Sequence, residues 1–261
     1  MKYFSSLLIL VLAGSALSSC AVYQPATPST PLLRSQGEAE VTAAVLPPGK
    51  LEVSAAWVPA TSILLTVEGS VLQTGGNDSG SSANSEDQNQ HRQAGVGFGT
   101  YRLLRADKSV YLGIVGGMGI SWASIYSGEF DSNTLAFSRN QQLTLYEATY
   151  QRSYCQLYVA KTVRLLSFGA SLRSTFVHYR TLTRNEVPIS AAASFYLEPT
   201  LFLRFGRGKW QGQATVGLSE PNAIDHQSPD YAKVSPISAI VSGGVVFRPD
   251  LRKHREAATA W

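Results

Sequence analysis

Only two cysteines occur in 261 residues, Cys20 and Cys155, which excludes a fold stapled by a disulfide framework. Charge is also scarce. Asp, Glu, Lys and Arg make up 15% of the chain, against about 25% in an ordinary soluble domain. Apolar residues account for 44% of the chain. Past residue 17, however, no apolar run approaches the ~20 residues that a membrane helix requires. Four His and two Cys show no zinc-ligand spacing. Gly95-x-Gly97-x-Gly99 is followed by no helical pattern, so it is strand alternation rather than a phosphate cradle. The net charge of +4 comes from scattered Lys and Arg, which excludes a nucleic-acid footprint. The one basic cluster, Arg252-Lys253-His254-Arg255, is a solvated tail suited to anionic headgroups.

What is present begins with the first twenty residues. Lys2 precedes an apolar run from Leu7 to Leu17, the length of a secretory h-region and too short to span a bilayer. The run ends in Leu17-Ser18-Ser19-Cys20, which resembles the bacterial lipobox. That resemblance implies cleavage between Ser19 and Cys20, diacylglycerol (palmitate-type chains) on the sulfur and an acyl chain on the new α-amine. Stable anchoring takes two lipid signals, and a triacylated cysteine exceeds that. Ala21, not Asp, follows the cysteine, which implies the outer membrane. No acidic cluster of the kind that directs lipoproteins to the surface follows, so the lipid is expected in the periplasmic leaflet. No other cofactor is expected.

Residues 21–36 are Pro-rich and predict an extended, irregular tether. Beyond them, period-two alternation recurs to the end. Leu51, Val53, Ala55 and Trp57 share one face, with Lys50, Glu52 and Ser54 opposite. Ile63, Leu65, Val67 and Val71 repeat this against Thr66, Glu68 and Ser70. The pattern predicts strands over 38–45, 50–58, 62–72, 93–104, 109–126, 150–162, 165–180, 190–205, 209–219 and 236–247. Connections after the second, fourth, sixth and eighth strands are short. Those after the third, fifth, seventh and ninth are longer and polar, and only Pro47-Pro48-Gly49 is a short turn on that side. Residues 74–92 are expected to lack packed structure, and 127–149, 181–189 and 220–235 to be polar connecting loops.

An even strand number, alternating short and long connections, many Gly (22) and many Tyr (12) predict an all-β, antiparallel, up-and-down transmembrane β-barrel of about ten strands, with eight or twelve as the neighbouring counts. Trp57, Tyr101, Trp122, Tyr126, Tyr179, Phe205 and Trp210 are expected in its interfacial girdles. The organisation is then a leader (1–19), a lipidated tether (20–36), a barrel (37–248) and a basic tail (249–261). Its partners are outer-membrane lipid and an extracellular ligand meeting loops 73–92, 127–149 and 220–235. Alternation alone also admits a lipid-tethered soluble barrel or sandwich that binds an apolar ligand.

The chain further resembles small outer-membrane β-barrel lipoproteins of Bacteroidota. The shared features are Tyr23-Gln24-Pro25 after the lipobox, Pro31-Leu32-Leu33 before Gly37-Glu38, then Arg152-x-Tyr154-x-Gln156 and Phe195-x-Leu197-Glu198-Pro199. The resemblance implies fold and location, and no activity.

For chemistry, the inward faces carry Glu52, Glu68, Arg173, Glu198 and Arg204, with Arg173 and Glu198 expected to pair across consecutive strands. Isolated buried ions are costly, so this set predicts either a packed polar interior or a narrow pore for small solutes. Asp225-His226 resembles the Asp–His pair of omptin proteases, with Glu129, Asp131 or Asp230 as the further acid. Ser174 and His178 share a face but lie ~13 Å apart along a strand, too far for a dyad. The reading is a non-catalytic barrel lipoprotein with a structural or surface-interaction role.

Overall fold

Alternating side chains and polar connections organise this chain into ten antiparallel strands that close on themselves. The computed structural model describes residues 21–75, 88–104, 109–127, 130–131, 136–137, 144–190, 193–206, 208–222 and 237–249. The barrel strands are β1 (Ala39–Leu46), β2 (Lys50–Trp57), β3 (Ile63–Gly75), β4 (Gln88–Leu104), β5 (Val110–Ser127), β6 (Thr144–Val163), β7 (Leu166–Arg184), β8 (Ser194–Phe205), β9 (Trp210–Pro221) and β10 (Ser238–Phe247). Each pairs with its sequence neighbours. The ring closes where β1 meets β10, with Val41 opposite Phe247 and Val45 opposite Gly243. Among the described residues no helix occurs.

The expected count and the parity of the connections hold, but several strands run further than composition indicated. β4 begins at Gln88, inside the polar stretch, and β6 begins at Thr144. β7 continues to Arg184, where Asn185 and Glu186, at φ 48° and 67°, form a two-residue hairpin. Such positive-φ turns suit tight hairpins, and Asn tolerates the conformation well. The hairpin pairs Val187–Pro188 back onto β7. A separate small hairpin joins Phe130–Asp131 to Ala136–Phe137.

The wall is uneven in height. β1 and β2 have 8 residues each, whereas β6 has 20 and β7 has 19. Around the lower part, large apolar side chains cover the outside: Phe98 is 60% exposed, Met118 57%, Leu201 60% and Leu218 53%. The band stops at Trp122. One step above it a wholly polar row crosses four strands, Gln90 beside Ser124, Ser124 beside Glu147 and Glu147 beside Thr183. At that height the interior is apolar, with Ile125, Tyr146, Ala148 and Leu182 buried together. The barrel thus changes polarity along its axis. Its lower part is apolar outside and ionic inside, whereas the row just above Trp122 is polar outside and encloses the Ile125–Tyr146 cluster, with His91 buried against Tyr150.

Girdle assignment follows from the same geometry. Trp57, Trp122, Phe205 and Trp210 point outward and are half exposed. Tyr101 and Tyr179 are corrections: both fall on inward positions and are buried. Tyr101 stacks on Tyr111 with centroids 5.1 Å apart, and Tyr179 lies 5.5 Å from Tyr150.

Candidate functional site: the occupied lumen

The interior is filled by the chain's own Pro-rich segment. Residues 21–33 are extended and irregular, as their composition predicts, but they run through the barrel rather than away from it. Val22, Tyr23, Leu32 and Leu33 are all buried. Thirteen residues of extended chain cover about 40 Å at ~3.3 Å each, enough to cross a ~30 Å hydrocarbon core.

The contacts fix the direction of the thread. At the short-turn end, Gly37 N donates to Val58 O at 2.8 Å. Leu32 and Leu33 pack there with Ala56, Val58, Leu64 and Tyr158. Higher up, Arg204 Nη2 donates to Thr30 O at 2.7 Å, Tyr158 Oη to Pro31 O at 2.9 Å and Gln156 Nε2 to Ser29 O at 2.7 Å. Thr27 N donates to Glu52 Oε2 at 3.0 Å, and Lys50 Nζ to Pro25 O at 2.7 Å. At the long-connection end, Tyr23 stacks on Tyr196 with centroids 4.0 Å apart, and Val22 joins the Ile125–Tyr146 cluster.

A physical rule links the sequence of the thread to that of the wall. Prolines at 25, 28 and 31 remove three N–H groups that would otherwise need partners inside the lumen. Their three-residue spacing also matches one turn of a polyproline helix. The carbonyls remain, and buried carbonyls need donors. The wall presents them on inward positions of β2, β6 and β8: Lys50, Gln156, Tyr158 and Arg204.

An ionic network occupies the middle layer. Glu68 accepts from Arg152 Nη2 at 2.6 Å and from Arg173 Nη2 at 3.3 Å. Arg173 also donates to Gln156 Oε1 at 2.8 Å, and its guanidinium lies over the Tyr154 ring, 4.3 Å from the centroid. Glu198 accepts from Tyr23 Oη at 2.7 Å, Thr175 Oγ1 at 3.0 Å and Ser219 Oγ at 3.2 Å. Lys50 pairs with Glu52 at 2.9 Å. Glu40 pairs with Arg204 and with Arg248, each at 2.9 Å.

All five charges expected on the inside, Glu52, Glu68, Arg173, Glu198 and Arg204, are buried there. Arg173 and Glu198 are direct register neighbours on β7 and β8. The expected ion pair between them is nevertheless replaced. Arg173 reaches across the lumen to Glu68, and Glu198 turns to the thread. Tyr23, Glu40, Lys50, Arg152 and Tyr154 belong to the same site and were not singled out for it from sequence. The signal was available, because Tyr146, Tyr150, Tyr154 and Tyr158 alternate inward with Arg152 and Gln156 along β6.

Room for the large side chains comes from glycine. On β5, a Cβ at Gly117 would run into the Tyr154 ring, and one at Gly119 would lie 3.0 Å from Arg152 Nε. The Gly95-x-Gly97-x-Gly99 alternation belongs to the same surface. A small cavity of about 30 Å³ lies beside Pro28, Glu52, Glu68 and Gln213.

Ser174 lies on the outer face of β7, as does the exposed His178. Cys155 is free and exposed on the outer wall. Cys20, Ser19, Asp225, His226, Glu129, Asp230 and the basic tail lie outside the described residues, as do most of the three long connections. Asp131 lies in the small hairpin of the connection between β5 and β6. Among the described residues no three His, Cys, Asp or Glu side chains gather as a metal set. No family model and no curated protein matches this chain.

Proposed function

We propose that this protein is an outer-membrane β-barrel lipoprotein with a closed lumen, and that its role is structural or one of surface interaction through the long connections. The observation that carries this reading is the inversion of polarity in the lower barrel. Large apolar side chains face outward around a buried ionic network. In water such a wall would be an apolar patch far beyond the few hundred Å² that soluble monomers expose. In a bilayer it is the lipid-facing band of an outer-membrane barrel, edged by Trp57, Trp122 and Trp210.

The leader ending at Ser19 and the lipid on Cys20 complete the reading as a second anchor. The resemblance to Bacteroidota barrel lipoproteins agrees with it. The chain running through the lumen supports closure over solute passage, and it occupies the space that the apolar ligand of a soluble barrel would take. The experiment is electrophoresis and electrophysiology on one preparation. The purified protein is expected to migrate faster unheated than boiled, and to give no conductance steps in a planar bilayer. Equal mobility, with release of Cys20→Ala protein into the soluble fraction, would overturn the membrane barrel. Regular conductance steps would overturn the closed lumen.

A further inference from the structure

The path of residues 21–33 decides on which side of the barrel the preceding chain emerges. The thread enters at the short-turn end beside Val58 and climbs past Arg204 and Gln156. It reaches Tyr196 and the Ile125–Tyr146 cluster at Tyr23 and Val22. Ala21 therefore lies at the opposite end of the lumen from Gly37. The expectation drawn from sequence placed the lipid in the periplasmic leaflet.

The uneven wall adds a second, independent observation. Lys50, the first residue of β2, holds the Pro25 carbonyl. The β1–β2 wall thus ends at the height of Pro25, four residues short of Ala21. On the other side β5, β6 and β7 continue upward to Ile125, Tyr146 and Leu182. The described end of the thread, Val22 and Tyr23, packs against this tall side.

We infer that, because Ala21 lies at the long-connection end of the lumen, the acyl chains on Cys20 enter the leaflet at that end, the outer leaflet of the outer membrane. This rests on the reading of the chain as an outer-membrane lipoprotein. One Cα–Cα step of 3.8 Å separates Cys20 from Ala21, and a single residue cannot return across a ~30 Å core. The lumen, packed around the thread, leaves no passage for acyl chains either. The barrel therefore closes around a segment already in place. The short turns face the periplasm and the lipid faces the cell surface, with the barrel wall between them.

The test uses the full-length protein in a Gram-negative host labelled with radioactive palmitate. A protease site is inserted between Cys20 and Ala21. In a second variant the same site and an epitope follow Trp261, beyond Arg248, which pairs with Glu40 near the short-turn end. Protease added to intact cells is expected to strip the palmitate label from the first variant and to leave the epitope on the second. Label lost only after permeabilisation would overturn the inference while leaving the lipoprotein reading intact. Absence of palmitate label, or of the heat-dependent mobility shift, would overturn the lipoprotein reading and the inference with it. Threading is checked without an insertion by Thr27→Cys with Glu52→Cys in a Cys155→Ser background. A short thiol cross-linker is expected to join them in the unheated, folded form, and folded protein that gives no cross-link would overturn the inference.

Discussion

Tyr23 and Glu198 are 175 residues apart in the chain, and the tyrosine hydroxyl donates to the carboxylate at 2.7 Å. This bond ties the top of the lumenal thread to β8. Tyr23→Phe keeps the stack on Tyr196 and removes one of three donors to a buried carboxylate, an expected loss of about 1–3 kcal/mol. Tyr23→Ala also removes the ring and is expected to cost about 3–5 kcal/mol. Urea titration in detergent micelles, read by the fraction of unheated fast-migrating protein, ranks the two. Equal effects would show that the ring contributes nothing.

Glu68 pairs with both Arg152 and Arg173, the single carboxylate among the described residues that does so. Glu68→Ala leaves two guanidinium groups buried without their counterion, and removing one partner of a buried pair costs about 3–5 kcal/mol. The triple variant Glu68→Leu, Arg152→Met, Arg173→Met removes all three charges and is expected to recover most of that loss. The same urea titration compares them. A triple variant less stable than Glu68→Ala would show that the network contributes more than its charge balance.

Period two made the outward faces of β2 and β3 legible from sequence, because one local choice of side decides a whole strand. The same alternation hid the tall upper wall. There Tyr146, Ala148 and Tyr150 point inward and Glu147 outward, so the polar side is the wet one and the stretch reads locally as loop. Tyr101 and Tyr179 were placed in a girdle for the same reason: a tyrosine near a strand end looks alike whether it faces lipid or lumen. Pro25, Pro28 and Pro31 announced an extended chain, but whether that chain lies in water or in a barrel is decided elsewhere. The donors that hold it, Lys50, Gln156 and Arg204, are 25, 127 and 174 residues away. Only closure of the ring brings them together. The short motifs that carried the Bacteroidota resemblance meet in this way: Tyr23 with Glu198, and Arg152 and Gln156 with the ionic layer and Ser29.

Gly117 and Gly243 separate two uses of glycine in this wall. A Cβ at Gly117 collides with the Tyr154 ring and with Val96 O, whereas one at Gly243 meets nothing within 4 Å. Gly117→Ala must displace a ring that lies under Arg173 and is expected to cost about 1–3 kcal/mol, the usual range for overpacking. Gly243→Ala is expected to stay within about 0.5 kcal/mol. Equal losses in the mobility-based unfolding assay would contradict the assignment of Gly117 to the lumenal surface.

The thread runs through the lumen, with Tyr23, Leu32 and Leu33 buried inside the barrel. Deleting residues 22–30, with Cys20 and Leu32-Leu33 retained, removes the occupant of the ionic layer and leaves hydrated charges along the wall. Discrete conductance steps in a planar bilayer are expected from the folded deletion variant and not from the full chain. Should the deletion prevent folding, Pro25→Gly with Pro28→Gly, which loosens the thread, is expected to give intermittent openings. Silent bilayers from both folded variants would mean that wall side chains alone fill the lumen.

Leu201 tests where the bilayer lies. It sits on the outer face of β8, 60% exposed, between Ala170 of β7 and Val216 of β9. Leu201→Arg puts a charge at mid-height of the apolar band. In hydrocarbon that costs about 2–4 kcal/mol near the midplane and little near the edge. On a barrel surrounded by water the same change would be close to neutral. Thr149 lies outside the apolar wall beside Trp122, so Thr149→Arg serves as the control near the interface. Refolding into lipid vesicles, with urea titration of each variant, is expected to place the Leu201→Arg loss well above that of Thr149→Arg. Equal small losses for both would place the outer wall in water and remove the physical basis for the membrane band.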